Sequence, residues 1–152
     1  MVTMTLERVV PAPAEDVFAW LADAGNYTRT PVVFRMRLAQ PGEGAAYGLG
    51  AVRVLVWIMG WFRERITAYQ PPHHFDYLVE RSFPPSRHEG GRISCTPSPD
   101  GTTVVWTTTA RLSLPLVGDL VTRVVAKPII LWAFGKVLDT ATRELTAADA
   151  RA

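Results

Sequence analysis

Between Val2 and Val10 apolar and polar positions alternate, with Val2, Met4 and Leu6 on one parity and Thr3, Thr5 and Glu7 on the other. That period belongs to a half-buried strand. Pro11 and Pro13 end it. Glu15 and Asp16 then supply the first-turn acids that complement a helix dipole, ahead of a stripe of Val17, Phe18, Trp20 and Leu21. Gly25 and Asn26 close this helix, and Pro31 leaves room for one more helical turn through Tyr27 before the chain extends. Six further strands are predicted at 32–39, 49–59, 61–69, 75–83, 88–96 and 102–112. The breaks between them, such as Met59-Gly60, Gln70-Pro71-Pro72 and Pro84-Pro85-Ser86, are built from residues that fix or free φ. With no helical pattern between them, consecutive strands are expected to pair antiparallel through hairpins, as a seven-stranded meander.

The period then changes. Across 114–148 the set Val117, Leu120, Val121, Val124, Leu131, Trp132, Leu138, Ala141 and Leu145 recurs at three- and four-residue spacing, which predicts one long amphipathic helix. At 1.5 Å rise it would reach ~52 Å, against ~34 Å for the width of seven strands, so it can lie across the whole sheet. Pro128 removes a helical hydrogen bond at its middle and predicts a kink or a division into two helices. The fold class is therefore α+β.

Several local sequences give this order a more particular likeness. They are Val10-Pro11-Ala12-Pro13-Ala14-Glu15-Asp16-Val17-Phe18 leading to Leu21-Ala22-Asp23 and Tyr27, then Gly48-Leu49-Gly50-Ala51-Val52-Arg53. Phe62-Arg63-Glu64-Arg65-Ile66 and Asp100-Gly101-Thr102-Thr103-Val104-Val105-Trp106 complete the set. Together they resemble the START and birch-pollen-allergen (SRPBCC) superfamily, and within it the polyketide cyclase/dehydrase and lipid-transport branch. The resemblance implies a helix-grip fold, a curved seven-stranded sheet wrapped around the C-terminal helix with two short helices after the first strand. It also implies an internal cavity for a hydrophobic small molecule such as a lipid or polyketide. A cyclase or dehydratase using the same cavity is the alternative, because this superfamily hosts carriers, receptors and enzymes on one scaffold.

Strand parity indicates what would line such a cavity. On the last strand Val104, Trp106, Thr108, Ala110 and Leu112 share the inward parity, and on 61–69 Phe62, Glu64, Ile66 and Ala68 do. Glu64 is anomalous there, since a carboxylate in an apolar grip must be paired, hydrogen-bonded or protonated. A turn at Met59-Gly60 would set Trp57 opposite Phe62 and Leu55 opposite Glu64, leaving Arg53 diagonal to Glu64 as its partner. Such a group is either a structural ion pair or a polar anchor or acid/base for a ligand. Tyr77, flanked by Phe75 and Val79, is either a core tyrosine or one that orients a substrate carbonyl. Glu64 and Tyr77 are the catalytic candidates if there is turnover. On the helix, the wall is expected between Val124 and Leu138, with Trp132 facing Trp106 as a clamp or as closure of the core.

Other chemistry is weaker. His73 and His74 follow two prolines in a turn. His88 and Cys95 are seven apart on one predicted strand, so they are expected on opposite faces, unable to share a metal ion. Neither a metal nor a cofactor is predicted, and Cys95 reads as a buried inert thiol. The turn Trp57-Ile58-Met59-Gly60-Trp61-Phe62 is unusually apolar for a tip. It is expected to be covered by the helix or a second subunit, or to touch a membrane transiently and gate ligand entry. Sixteen basic and fourteen acidic residues leave a net charge of +2, which does not imply a nucleic-acid partner. The most apolar helical window, 129–134, lies between Lys127 and Lys136, short of the ~20 residues that span a bilayer. One cysteine and no apolar leader before Met4 point to the cytoplasm. The 152 residues, 48% apolar, are expected to form a single domain, monomeric or homodimeric, its last residues (about five) frayed.

Overall fold

The computed structural model describes residues 1–151. It contains seven strands, β1 (Val2–Val10), β2 (Val33–Gln40), β3 (Val52–Trp57), β4 (Gly60–Gln70), β5 (His74–Phe83), β6 (Ser86–Ser98) and β7 (Gly101–Leu112). Helix α1 (Ala14–Ala22) and a 3₁₀ turn (Ala24–Arg29) separate β1 from β2. Helix α2 (Gly118–Val121), a π-helical turn (Thr122–Ala126) and helix α3 (Lys127–Ala150) follow β7. The expected fraying of the chain end falls partly on Ala152, which lies outside the described residues.

All neighbouring strands are antiparallel, in the order β1-β7-β6-β5-β4-β3-β2. The meander expected from the sequence holds from β2 to β7, but β1 leaves its sequence neighbour and pairs with β7, Val2 opposite Ala110 through Val10 opposite Thr102. The α1 segment accounts for this. Having no hairpin to β2, the chain after β1 buries Val17, Phe18, Trp20 and Leu21 and packs α1 against α3, β6 and β7, so β1 and β2 become the opposite edges. The curved sheet closed by a long C-terminal helix is the helix-grip arrangement.

Between them lies a core rich in aromatic side chains. Trp106 on β7 stacks on Phe134 of α3 at 3.9 Å and 8°. Trp57 meets the edges of both rings, and Tyr27 packs against Trp20, Trp57 and Trp106. On α3 the buried face is Ala133, Phe134, Val137, Leu138 and Ala141, the spacing of a helical stripe.

The helix differs from the sequence reading in its first half. It starts at Gly118 rather than 114, and Pro128 is accommodated by the π-helical turn at Thr122–Ala126. Proline has no N–H to offer the carbonyl four residues back, and its ring crowds that carbonyl, so a widened turn beside it relieves both problems. The wider turn also shifts the helical phase. Leu120 and Val124, expected on the inner stripe, are exposed, while Val125, Ala126 and Ile129 come round toward the sheet.

Candidate functional site

The sheet and the helix do not meet along their whole length. A cavity of about 530 Å³ lies between β3, β4, β5, β7 and the segment from Thr122 to Phe134. Its walls are largely apolar, with Met4, Trp57, Phe62, Val79, Trp106, Ala110 and Ile130 among the lining side chains. Ile58 and Met59 at the β3–β4 turn, Pro84 at the β5–β6 turn, and Val125, Ile129 and Trp132 on the helix ring its outer end; Ile58, Val125, Ile129 and Trp132 are exposed. That end is the mouth. The apolar hairpin tip is therefore neither buried under the helix nor fully free: Met59 and Phe62 are half-buried against the cavity and Ile58 faces out.

Of the side chains selected from the sequence, Arg53, Trp57, Phe62, Glu64, Tyr77, Trp106, Thr108 and Trp132 line this space. Leu55, Ile66 and Val104 point inward but are packed in the core without lining it. Val124 is turned to solvent by the shifted helical phase. Trp132 does not face Trp106, because Phe134 occupies the face over that ring. Instead Trp132 stands half-exposed at the mouth with Lys136 Nζ 5.8 Å from its ring centre. Ala68 was expected inward, yet an extra residue in β4 between Ile66 and Ala68 inverts the alternation. Tyr69 takes the inward place and packs on Phe18.

At the deep end the walls become polar. The β3–β4 turn consists of Ile58 and Met59, one residue earlier than expected, so Leu55 opposes Phe62 and Arg53 opposes Glu64 directly. Arg53 Nε donates to Glu64 Oε1 at 2.5 Å, with the two side chains 1% and 8% exposed. The guanidinium also lies 5.7 Å from the Tyr27 ring centre and 5.6 Å from that of Phe75, and Nη1 reaches the Ala22 carbonyl at 3.5 Å. Burial works against the Arg53 charge, but the Glu64 carboxylate, together with the Tyr27 and Tyr77 hydroxyls, more than offsets it and raises the affinity of Arg53 for its proton. The pair is an electrically neutral floor under an apolar chamber.

Beside it, Trp106 Nε1–H donates to the Tyr77 hydroxyl at 2.9 Å. Burial pushes that hydroxyl up to about 12, the Glu64 charge adds to the rise, and the nearby donors Trp106 and Thr108, which would favour the ionised form, oppose it. Tyr77 thus keeps its proton near neutrality. The Tyr77 ring lies flat over Gly91, its partner across β5 and β6, where any β-carbon would fall on the ring.

His88 belongs to the same group, contrary to the expectation that it faces away from Cys95. An extra residue in β6 between His88 and Gly90 inverts the strand's parity, so His88 opposes Ala110 on the face that Cys95 occupies opposite Val104. His88 stacks on Tyr77 at 5.5 Å and 18°. Its Nε2 is 2.6 Å from Thr108 Oγ1, and its Nδ1 accepts the Val79 N–H at 3.0 Å. Burial lowers its titration from 6.5 to about 4. Glu89-Gly90-Gly91 was the available signal, since glycines inside a strand mark bulges and close backbone approach. Cys95 is buried, and burial pushes its thiol up to about 12, which makes it a poor nucleophile. Among the described residues no cluster of three or more metal-binding side chains occurs, and no helix is long and apolar enough to cross a membrane.

Comparison with known proteins agrees with this architecture. The family profile described as polyketide cyclase / dehydrase and lipid transport matches residues 1–148. Among solved structures, TTHA0849 from Thermus thermophilus is 18% identical, covering 97% of this chain and 99% of its own, with a TM-score of 0.78. A START superfamily protein from Mycobacterium smegmatis is 17% identical over 95% and 97% of the two chains, TM-score 0.71. Ara h 8.0201 is 14% identical over 96% and 98%, TM-score 0.67. At such identities the likeness is one of fold. A search of curated proteins gives no match.

Two outcomes follow from the polar end. Arg53→Met strands the Glu64 carboxylate in an apolar site and is expected to cost about 3–5 kcal/mol, whereas Arg53→Met with Glu64→Leu recovers most of that loss; urea midpoints measure both. His88 titrates lower folded than unfolded, so between 6.5 and about 4 the unfolded chain binds the extra proton. Its contribution to stability is complete above that window and declines as pH falls through it. His88→Phe should flatten this part of the stability–pH curve relative to wild type by up to about 3 kcal/mol, read from denaturation midpoints at pH 4 and 7.

Proposed function

We propose that this chain, which belongs to the polyketide cyclase/dehydrase and lipid transport family, holds one hydrophobic small molecule in the space between sheet and helix. The observation that carries this reading is the cavity of about 530 Å³ left beside a tightly stacked aromatic core. The side chains at its lining are mostly apolar and its polar groups gather at one end, the usual division in small-molecule sites between burial for affinity and a few polar contacts for orientation. A guest burying about 300 Å² of apolar surface gains roughly 7 kcal/mol from transfer alone, before association costs.

The alternative is an enzyme that folds a reactive poly-ketone and moves a proton with Glu64 or Tyr77. Binding is favoured because Arg53 engages Glu64 Oε1 and Tyr77 retains its proton near neutrality. Tyr77 is thus not tuned to the working pH in the way a general acid or base requires.

The test uses the neutral fluorescent hydrophobe N-phenyl-1-naphthylamine. Wild type is expected to bind it saturably at 1:1, and Ala110→Trp, which fills the chamber, should abolish binding with the thermal midpoint retained. Absence of saturable binding to wild type, or full binding by the filled variant, overturns the reading.

The rim supports a further part of the same proposal, namely that the guest is exchanged at a lipid surface. Ile58, Val124, Val125, Ile129 and Trp132 are exposed at or beside the mouth, and Arg123, Lys127 and Lys136 lie on the same helical segment, a combination that suits an anionic bilayer. Flotation with vesicles of phosphatidylcholine and phosphatidylglycerol is expected to recover wild type, and Ile58→Glu with Val125→Glu to remain at the bottom of the gradient.

A further inference from the structure

The hydrogen bonds at the deep end of the cavity have a direction that the backbone sets. The Val79 amide can only donate, so His88 Nδ1, 3.0 Å away, must accept and carries no proton. The neutral ring therefore bears its proton on Nε2 and donates it to Thr108 Oγ1 at 2.6 Å. That bond seats the imidazole where it stacks on the Tyr77 phenol. Trp106 Nε1, which is donor only, gives to the Tyr77 oxygen at 2.9 Å, and among the described residues no hydrogen bond takes up the Tyr77 proton.

The ring that carries this proton cannot turn away. His88 covers one part of it at 5.5 Å and near-parallel, and the Gly91 backbone lies beneath it. An oxygen that accepts a hydrogen bond polarises its own O–H bond, which strengthens it as a donor. The charges nearby are already paired, Arg53 with Glu64, so an additional anion at this depth would be left uncompensated.

Resting on the cavity reading above, we infer that Tyr77 presents a fixed hydrogen-bond donor to a neutral carbonyl oxygen of the guest. His88 and Thr108 act as positioning residues that orient that donor. The guest class is an apolar ketone, ester or quinone that enters carbonyl first, and carboxylates of the same shape are rejected.

Three rigid tricyclic probes of matched shape separate the possibilities by displacing N-phenyl-1-naphthylamine: 9-fluorenone, fluorene and fluorene-9-carboxylate. Wild type is expected to bind fluorenone about tenfold more tightly than fluorene, the scale of one well-made hydrogen bond, and the carboxylate more weakly than either. Tyr77→Phe should bring fluorenone and fluorene to equal affinity without weakening fluorene, and His88→Phe should narrow the gap. The bound fluorenone carbonyl stretch should lie to the red of its value in hexane for wild type and return toward that value in Tyr77→Phe. If the tyrosine variant does not fold, the wild-type carbonyl frequency decides alone. Equal affinity for fluorenone and fluorene, both displacing the dye, overturns this inference and leaves the cavity reading standing. Failure of wild type to bind the dye or either probe overturns both.

Discussion

The Arg53–Glu64 pair is the constraint on which the interior depends. A salt bridge this deeply buried tolerates little displacement, because separating the charges leaves each one desolvated and alone. Its two members sit directly across β3 and β4, so it fixes the pairing of those strands where the alternation of inward and outward side chains would otherwise allow a slip of two residues without altering the apolar pattern. It also determines the chemistry above it. The floor is polar yet carries no net charge, and the aromatic rings of Tyr27 and Phe75 that flank the guanidinium seal it from water. An apolar chamber can therefore end on hydrogen-bonding groups and still favour uncharged contents.

Most of the architecture was legible because it depends on period. The alternation along β1 and β7, the loop chemistry between strands and the return of helical spacing after Leu112 each follow from one local rule. The pairing of β1 with β7 carries no local signal, and the expected meander missed it. The inward set on β7 was readable for the same reason, since that strand pairs with β1 without a register shift. The Arg53–Glu64 contact was readable from the physics of a misplaced charge, although the turn was set one residue late and so gave a diagonal pair.

What escaped the sequence reading lies where the period breaks. Extra residues in β4 and β6 exchange the faces of everything beyond them, which brought Tyr69 inward and placed His88 beside Tyr77. The π-helical turn before Pro128 did the same for the helix, carrying Val124 outward and Val125 to the rim of the cavity. Trp132 illustrates a second difficulty. Phe134, two positions on, lies on the opposite side of the helix in spacing with Leu138 and Ala141, and taking Trp132 into the inward set put the wrong ring against Trp106. These irregularities are not scattered. The β6 bulge and the π-helical turn border the cavity, where departure from regular geometry opens space that ideal elements would fill.

The burial of Cys95, the single cysteine of the chain, has a practical corollary. Its sulfur is shielded and strongly disposed to stay protonated, so maleimide and iodoacetamide reagents should pass it by in the folded state. A second cysteine introduced on the hairpin rim or the outward helix face would then accept a spin label or fluorophore selectively. Distances across the entrance become measurable in solution without first deleting the native thiol from the packed interior.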